Sequence, residues 1–77
     1  MSPRLPRVTA SELLAALGRA GWQVKRSGGG HTHLVNADRP GQRVTVPVHA
    51  GRTIGPVLLH DILEQAGMSA EELRRLL

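Results

Sequence analysis

The apolar positions of this chain change their spacing twice, and each change marks a boundary between elements. Leu13, Leu14, Leu17 and Ala20 recur at three- and four-residue intervals, the period of a helix with one apolar stripe. Thr9 followed three residues later by Glu12 forms a capping box, in which the hydroxyl takes the Glu12 N–H and the carboxylate reaches back to the Thr9 N–H, so a helix is predicted to start there. Gly21 stands where a left-handed C-terminal residue belongs, and Gly18 weakens the helix by up to about 1 kcal/mol relative to alanine. From Trp22 the period falls to two. Trp22 and Val24 share one face and Gln23 and Lys25 the other, as in a half-buried strand. Two further runs, His31 to Asn36 and Arg43 to Val46, follow the Gly28-Gly29-Gly30 loop and the turn-rich segment Ala37-Asp38-Arg39-Pro40-Gly41. The three predict an antiparallel meander, with Pro47 ending the pairing because it has no N–H to donate.

The helical period then returns. Gly55-Pro56 opens a second helix with the stripe Val57, Leu58, Ile62 and Leu63, and Gly67 ends it. Ser69 and Glu72 repeat the capping box, predicting a short third helix with Leu73, Leu76 and Leu77 as its apolar residues. The expected fold is α+β, in the order α-β-β-β-α-α. Three helices and one three-stranded antiparallel sheet give two layers, with helices on one face and the other face open. With 77 residues there is one small domain, over residues 8–77, preceded by a flexible basic arm over residues 1–7 that carries two prolines.

Strand parity assigns the side chains to faces. If Trp22, Val24, Val44 and Val46 face the helices, the second strand turns Thr32 and Leu34 the same way. His31, His33 and Val35 then lie on the open face with Gln23, Lys25, Arg43 and Thr45.

Composition sharpens this picture. Trp22 is the sole aromatic residue, so the core is built from Leu, Val, Ile and Ala, and a partner or self-association would add burial to it. The absence of cysteine excludes disulfides and thiolate metal sites and fits a reducing cytosol. No apolar run approaches the roughly 20 residues that span a bilayer, so a soluble, cytoplasmic protein is expected. The formal charge of +4, carried by arginines spread along the chain, makes polyanions the natural partners.

Candidate chemistry centres on Gly28-Gly29-Gly30-His31-Thr32-His33. Glycines let the backbone take positive φ and let a ligand come close, and imidazole is the side chain suited to proton transfer near neutral pH. The bland alternative is a plain hairpin loop beside a solvated sheet face. His31-x-His33 is also half a metal site. It lacks a third ligand nearby, and His49, Asp38 and His60 would contribute only if the fold brought them together, so no metal is expected. Ser27 and Thr32 flank the loop without a Ser-His-acid constellation, and nucleotide-binding glycine spacings are absent, although consecutive backbone N–H groups suit a phosphate.

In their order and spacing these residues resemble the HicA-type toxins of bacterial and archaeal toxin–antitoxin modules. The resemblance runs from Ser11 to Leu73 through four pieces. They are Ala20-Gly21-Trp22, Arg26-x-x-Gly29-Gly30-His31, Val44-Thr45-Val46-Pro47 followed by His49, and Leu59-x-x-Ile62-Leu63-x-Gln65-Ala66-Gly67. It implies a double-stranded-RNA-binding-domain-like fold and an mRNA interferase, a cytoplasmic endoribonuclease that cleaves mRNA without a metal or other cofactor. The family's catalytic histidine corresponds to His31, as general base on the ribose 2′-OH or general acid on the leaving 5′-oxygen. His33 is the first choice for the second proton-transfer group, and Lys25, Arg26, Gly29, Gly30 and Arg43 are the expected RNA contacts. The implied protein partner is a HicB-type antitoxin covering the active surface. Gly30 departs from the family pattern, which usually has serine there. A non-catalytic RNA-binding module and a degenerate toxin therefore stand beside the ribonuclease reading.

Overall fold

Capping boxes fix the start of two of the three helices in the computed structural model, which describes residues 5–48 and 52–77. The Thr9 hydroxyl accepts the Glu12 N–H at 3.2 Å and the Glu12 carboxylate accepts the Thr9 N–H at 2.9 Å, opening α1 (Ala10–Arg19). Ser69 and Glu72 repeat the arrangement ahead of α3 (Ala70–Leu76). Between them α2 (Pro56–Ala66) begins on Gly55 with proline in its first turn, where the missing N–H costs nothing. It ends at Gly67, whose φ of 64° is left-handed and over which the Arg39 guanidinium lies so closely that a Cβ would stand 2.6 Å from Nη1. The left-handed φ is what calls for glycine there, since the guanidinium is the end of a flexible side chain and can move aside.

The strands β1 (Trp22–Gly28), β2 (His31–Asn36) and β3 (Arg43–Pro47) form one antiparallel sheet in the order β1-β2-β3, giving the α+β order α-β-β-β-α-α. Thr32, Leu34 and Asn36 of β2 and Val44 and Val46 of β3 are buried, while His31 is exposed and His33 and Val35 are half-buried. The buried side chains meet Leu13 and Leu17 of α1, Leu59 and Ile62 of α2 and Leu73 of α3 in one core, which Trp22, Val8 and Ile54 complete. Val8 and Ile54 are tied together by an Ile54 N–H to Val8 carbonyl bond of 2.7 Å, and Leu5 packs half-buried on the same core. Residues 1–4 of the expected arm, and His49, lie outside the described residues.

Five expectations are corrected, the last of them at Val24 on the sheet edge. The buried stripe of α2 is Leu59, Ile62, Leu63 and Ala66, a full i, i+3, i+4, i+7 set, and Val57 and Leu58 are exposed at 77% and 38%. In α1 the buried residues are Ala10, Leu13, Ala16 and Leu17, with Leu14 and Ala20 half-buried. In α3 only Leu73 is buried, with Leu76 half-buried and Leu77 exposed. Pro47 does not end the pairing. It lies opposite His31, and Val48 still donates to the Gly30 carbonyl at 2.7 Å, because the position that lacks an N–H points away from β2.

Both sheet edges are managed. The outward Thr45 N–H of β3 donates to Gln65 Oε1 of α2 at 3.0 Å. On the other edge β1 carries a bulge: Val24 pairs with Leu34 and Arg26 with His33, leaving Lys25 as an extra residue. Val24 keeps the parity of Leu34 but is 57% exposed, so its expected burial fails on an edge strand that the helices cover only at Trp22.

Asn36 ties the α1–β1 turn to the β2–β3 turn at one end of the sheet. Its buried amide donates to the Ala20 carbonyl at 3.3 Å and its Oδ1 accepts the Asp38 N–H at 2.9 Å. Asn36→Ala strands both partners, and a loss of about 1–3 kcal/mol is expected. A shift of the urea midpoint at constant slope measures it.

Candidate nucleic-acid interface

None of the three strands contains a carboxylate. The six acidic residues of the chain sit on the helices, as Glu12, Asp61, Glu64, Glu71 and Glu72, or in the β2–β3 turn, as Asp38. The strands therefore bring no negative charge to the open sheet face, where Val35 is the apolar residue among cationic and polar side chains, and the bulge concentrates the positive charge. Lys25 and Arg26, consecutive in sequence, both line one depression of 440 Å³ with Arg43, His33 and Val35. A second depression of 430 Å³ lies alongside, walled by Arg26, Ser27, Gly28, Gly29 and His33. Arg26 and His33, directly opposite each other on β1 and β2, belong to both.

The hairpin joining β1 to β2 is tight. Gly28 pairs with His31, leaving Gly29 and Gly30 as a two-residue turn with φ of 61° and 80°. Positive φ at both central residues matches the right-handed twist of the flanking strands, and two glycines take it without strain. The turn sets His31 at the start of β2, where its ring folds back so that Nδ1 lies 3.2 Å from the Gly29 carbonyl. A carbonyl only accepts, so this contact favours the tautomer with the proton on Nδ1, in which Nε2 is the basic nitrogen. His33, two residues on and on the same face, is about 6.6 Å further along the strand by the usual rise. Its Nδ1 meets the Thr45 hydroxyl at 3.1 Å.

Of the residues anticipated from sequence, Lys25, Arg26, Arg43 and His33 converge on the first depression. Gly29 rims the second, His31 stands exposed beside the turn, and Gly30 lies within it. Of the potential metal ligands, Asp38 and His60 line neither depression. Among the described residues one group of ligand-type side chains comes together, His60, Asp61 and Glu64 on the exposed surface of α2, and it includes neither His31 nor His33. The place of Arg26 on the open face was not visible in the sequence, because after Val24 the strand reads Lys-Arg-Ser-Gly and no apolar residue marks the shift of parity.

Fold and site together define a small basic α+β protein that offers an open, carboxylate-free sheet face bearing two histidines. A family model described as the HicA toxin of bacterial toxin–antitoxin systems matches residues 10–68, and the chain belongs to that family. No individual curated protein matches it. Membership makes the chain the toxin of a toxin–antitoxin pair, with a cognate antitoxin as partner. Among the described residues no helix is long and apolar enough to cross a membrane.

Proposed function

We propose that this toxin is a cytoplasmic mRNA interferase that cleaves RNA by histidine acid–base chemistry at the open sheet face. The observation that supports it best is that His33 shares one depression with Lys25, Arg26 and Arg43 on strands without carboxylates, with His31 exposed two residues away on the same face. The cations bind the phosphate backbone. His31 Nε2, left basic by the Nδ1 contact with Gly29, removes the proton of a ribose 2′-OH. The resulting oxygen attacks the adjacent phosphorus, the bond to the 5′-oxygen breaks, and that oxygen takes a proton from His33. Arg26, opposite His33, stabilises charge on the phosphate. No step calls for a metal. A HicB-type antitoxin neutralises the toxin by covering this face, to which an acidic surface is complementary.

One observation favours a second reading, a toxin that binds RNA without cutting it. Gly30, in place of the serine usual in the family, leaves open space beyond its Cα and supplies no hydroxyl beside the turn. Purified protein incubated with a long single-stranded mRNA in EDTA separates the two. Fragments on a denaturing gel support the interferase; RNA that shifts on a native gel and stays intact supports the binder.

Backbone binding makes affinity depend on salt. Replacing Arg26 and Arg43 by alanine is expected to weaken binding of unrelated RNA sequences alike and to flatten the plot of log K against log salt by about 0.7 per lost contact with single-stranded RNA. Fluorescence anisotropy across a salt series measures both effects.

A further inference from the structure

The two histidines of the open face are held differently, and the difference assigns a task to a residue outside the acid–base pair. His31 leans on a carbonyl, which favours one tautomer. His33 leans on the Thr45 hydroxyl, which donates to a bare Nδ1 or accepts from a protonated one. That contact survives every protonation state of the ring. His33 and Thr45 are direct cross-strand partners on β2 and β3, a spacing at which a short hydroxyl reaches an imidazole without distortion. Thr45 is itself fixed from behind, since its backbone N–H is taken by Gln65 of α2 at 3.0 Å. The chain Gln65, Thr45, His33 runs from a helix, through a sheet edge, to the wall shared by the two cationic depressions. With Nδ1 engaged, Nε2 is the nitrogen left to face a ligand there.

We infer that Thr45 is the positioning residue for His33, holding the ring with Nε2 toward the bound phosphate throughout the proton transfer, and that Gln65 anchors Thr45 to the helical layer. The catalytic half of this assignment rests on the ribonuclease reading above; the orientation of the ring does not. It accounts for a hydroxyl on the open face directly opposite His33, which borders both depressions.

Thr45→Val and Thr45→Ser test it. Valine keeps the shape, the β-branching and the backbone N–H to Gln65, so the sheet edge is retained, and serine restores the hydroxyl. In ¹⁵N-labelled free protein at a pH where the rings are neutral, the expected result is a moved His33 Nδ1 signal in Thr45→Val, because the hydrogen bond to that nitrogen is lost. The His31 ring signals stay unmoved, and Thr45→Ser is wild type in both. Single-turnover cleavage is expected to fall about 3- to 10-fold in Thr45→Val, the net worth of one hydrogen bond, and to recover in Thr45→Ser. Unchanged His33 ring signals in Thr45→Val overturn the orientation claim. A moved ring with an unchanged cleavage rate overturns the positioning claim. A wild-type protein that cuts no RNA removes the ribonuclease reading instead, and the ring signals then decide the orientation alone.

Discussion

His31→Ala is expected to slow single-turnover RNA cleavage by about 10²- to 10⁴-fold, the range usual for a positioned acid or base. The size of the effect is separable from folding. His31 is exposed, its described hydrogen bond is to the Gly29 carbonyl of its own turn, and it contributes nothing to the core, so the variant should unfold within about 0.5 kcal/mol of wild type. It is separable from binding as well, because Lys25, Arg26 and Arg43 remain to hold the backbone. Rapid mixing of excess enzyme with labelled RNA, beside anisotropy at the same salt, gives the rate and the affinity of one preparation. A rate within threefold of wild type would move the base to another residue, and His33 would be the first to examine.

Leu59→Ala is expected to remove about 2–5 kcal/mol of stability, a large share of what a domain of this size holds. Leu59 is fully buried where α2 packs against β3, and the space it leaves is enclosed by the rest of the core. At about 4–8 °C per kcal/mol the melting temperature falls by at least 8 °C or so. Val57→Ala, two residues away and 77% exposed, is expected to change stability by less than about 0.5 kcal/mol. Thermal melts of the two variants side by side check both the core and the face assignment of α2. Equal losses would mean that the helix is rotated from the orientation described.

That contrast also marks where the sequence was legible and where it was not. Element starts were readable because caps are local: Thr9 with Glu12 and Ser69 with Glu72 announce themselves within four residues. Face parity of β2 was readable because Leu34 and Val44 leave one answer for the register, and it carried His31 and His33 to the open face. The face of α2 was ambiguous because Val57, Leu58 and Leu59 are consecutive, and only the continuation to Ala66 selects Leu59. The bulge at Lys25 was out of reach, since a polar strand end gives the register nothing to hold. Pro47 was misread for a different reason: whether a missing N–H matters depends on which side of the strand it points to, and that is set by the partner strand. The site was legible in its residues, and its arrangement into two depressions sharing Arg26 and His33 came only with the fold.

The most direct test of the account is a cleavage time course of one long mRNA in EDTA, with wild type and His31→Ala compared at equal concentration on a denaturing gel. Fragmentation by wild type, slowed at least about a hundredfold by the substitution, is the predicted result. Full-length RNA persisting with wild type while a native gel shows it bound would contradict the ribonuclease assignment and leave this face a binding surface.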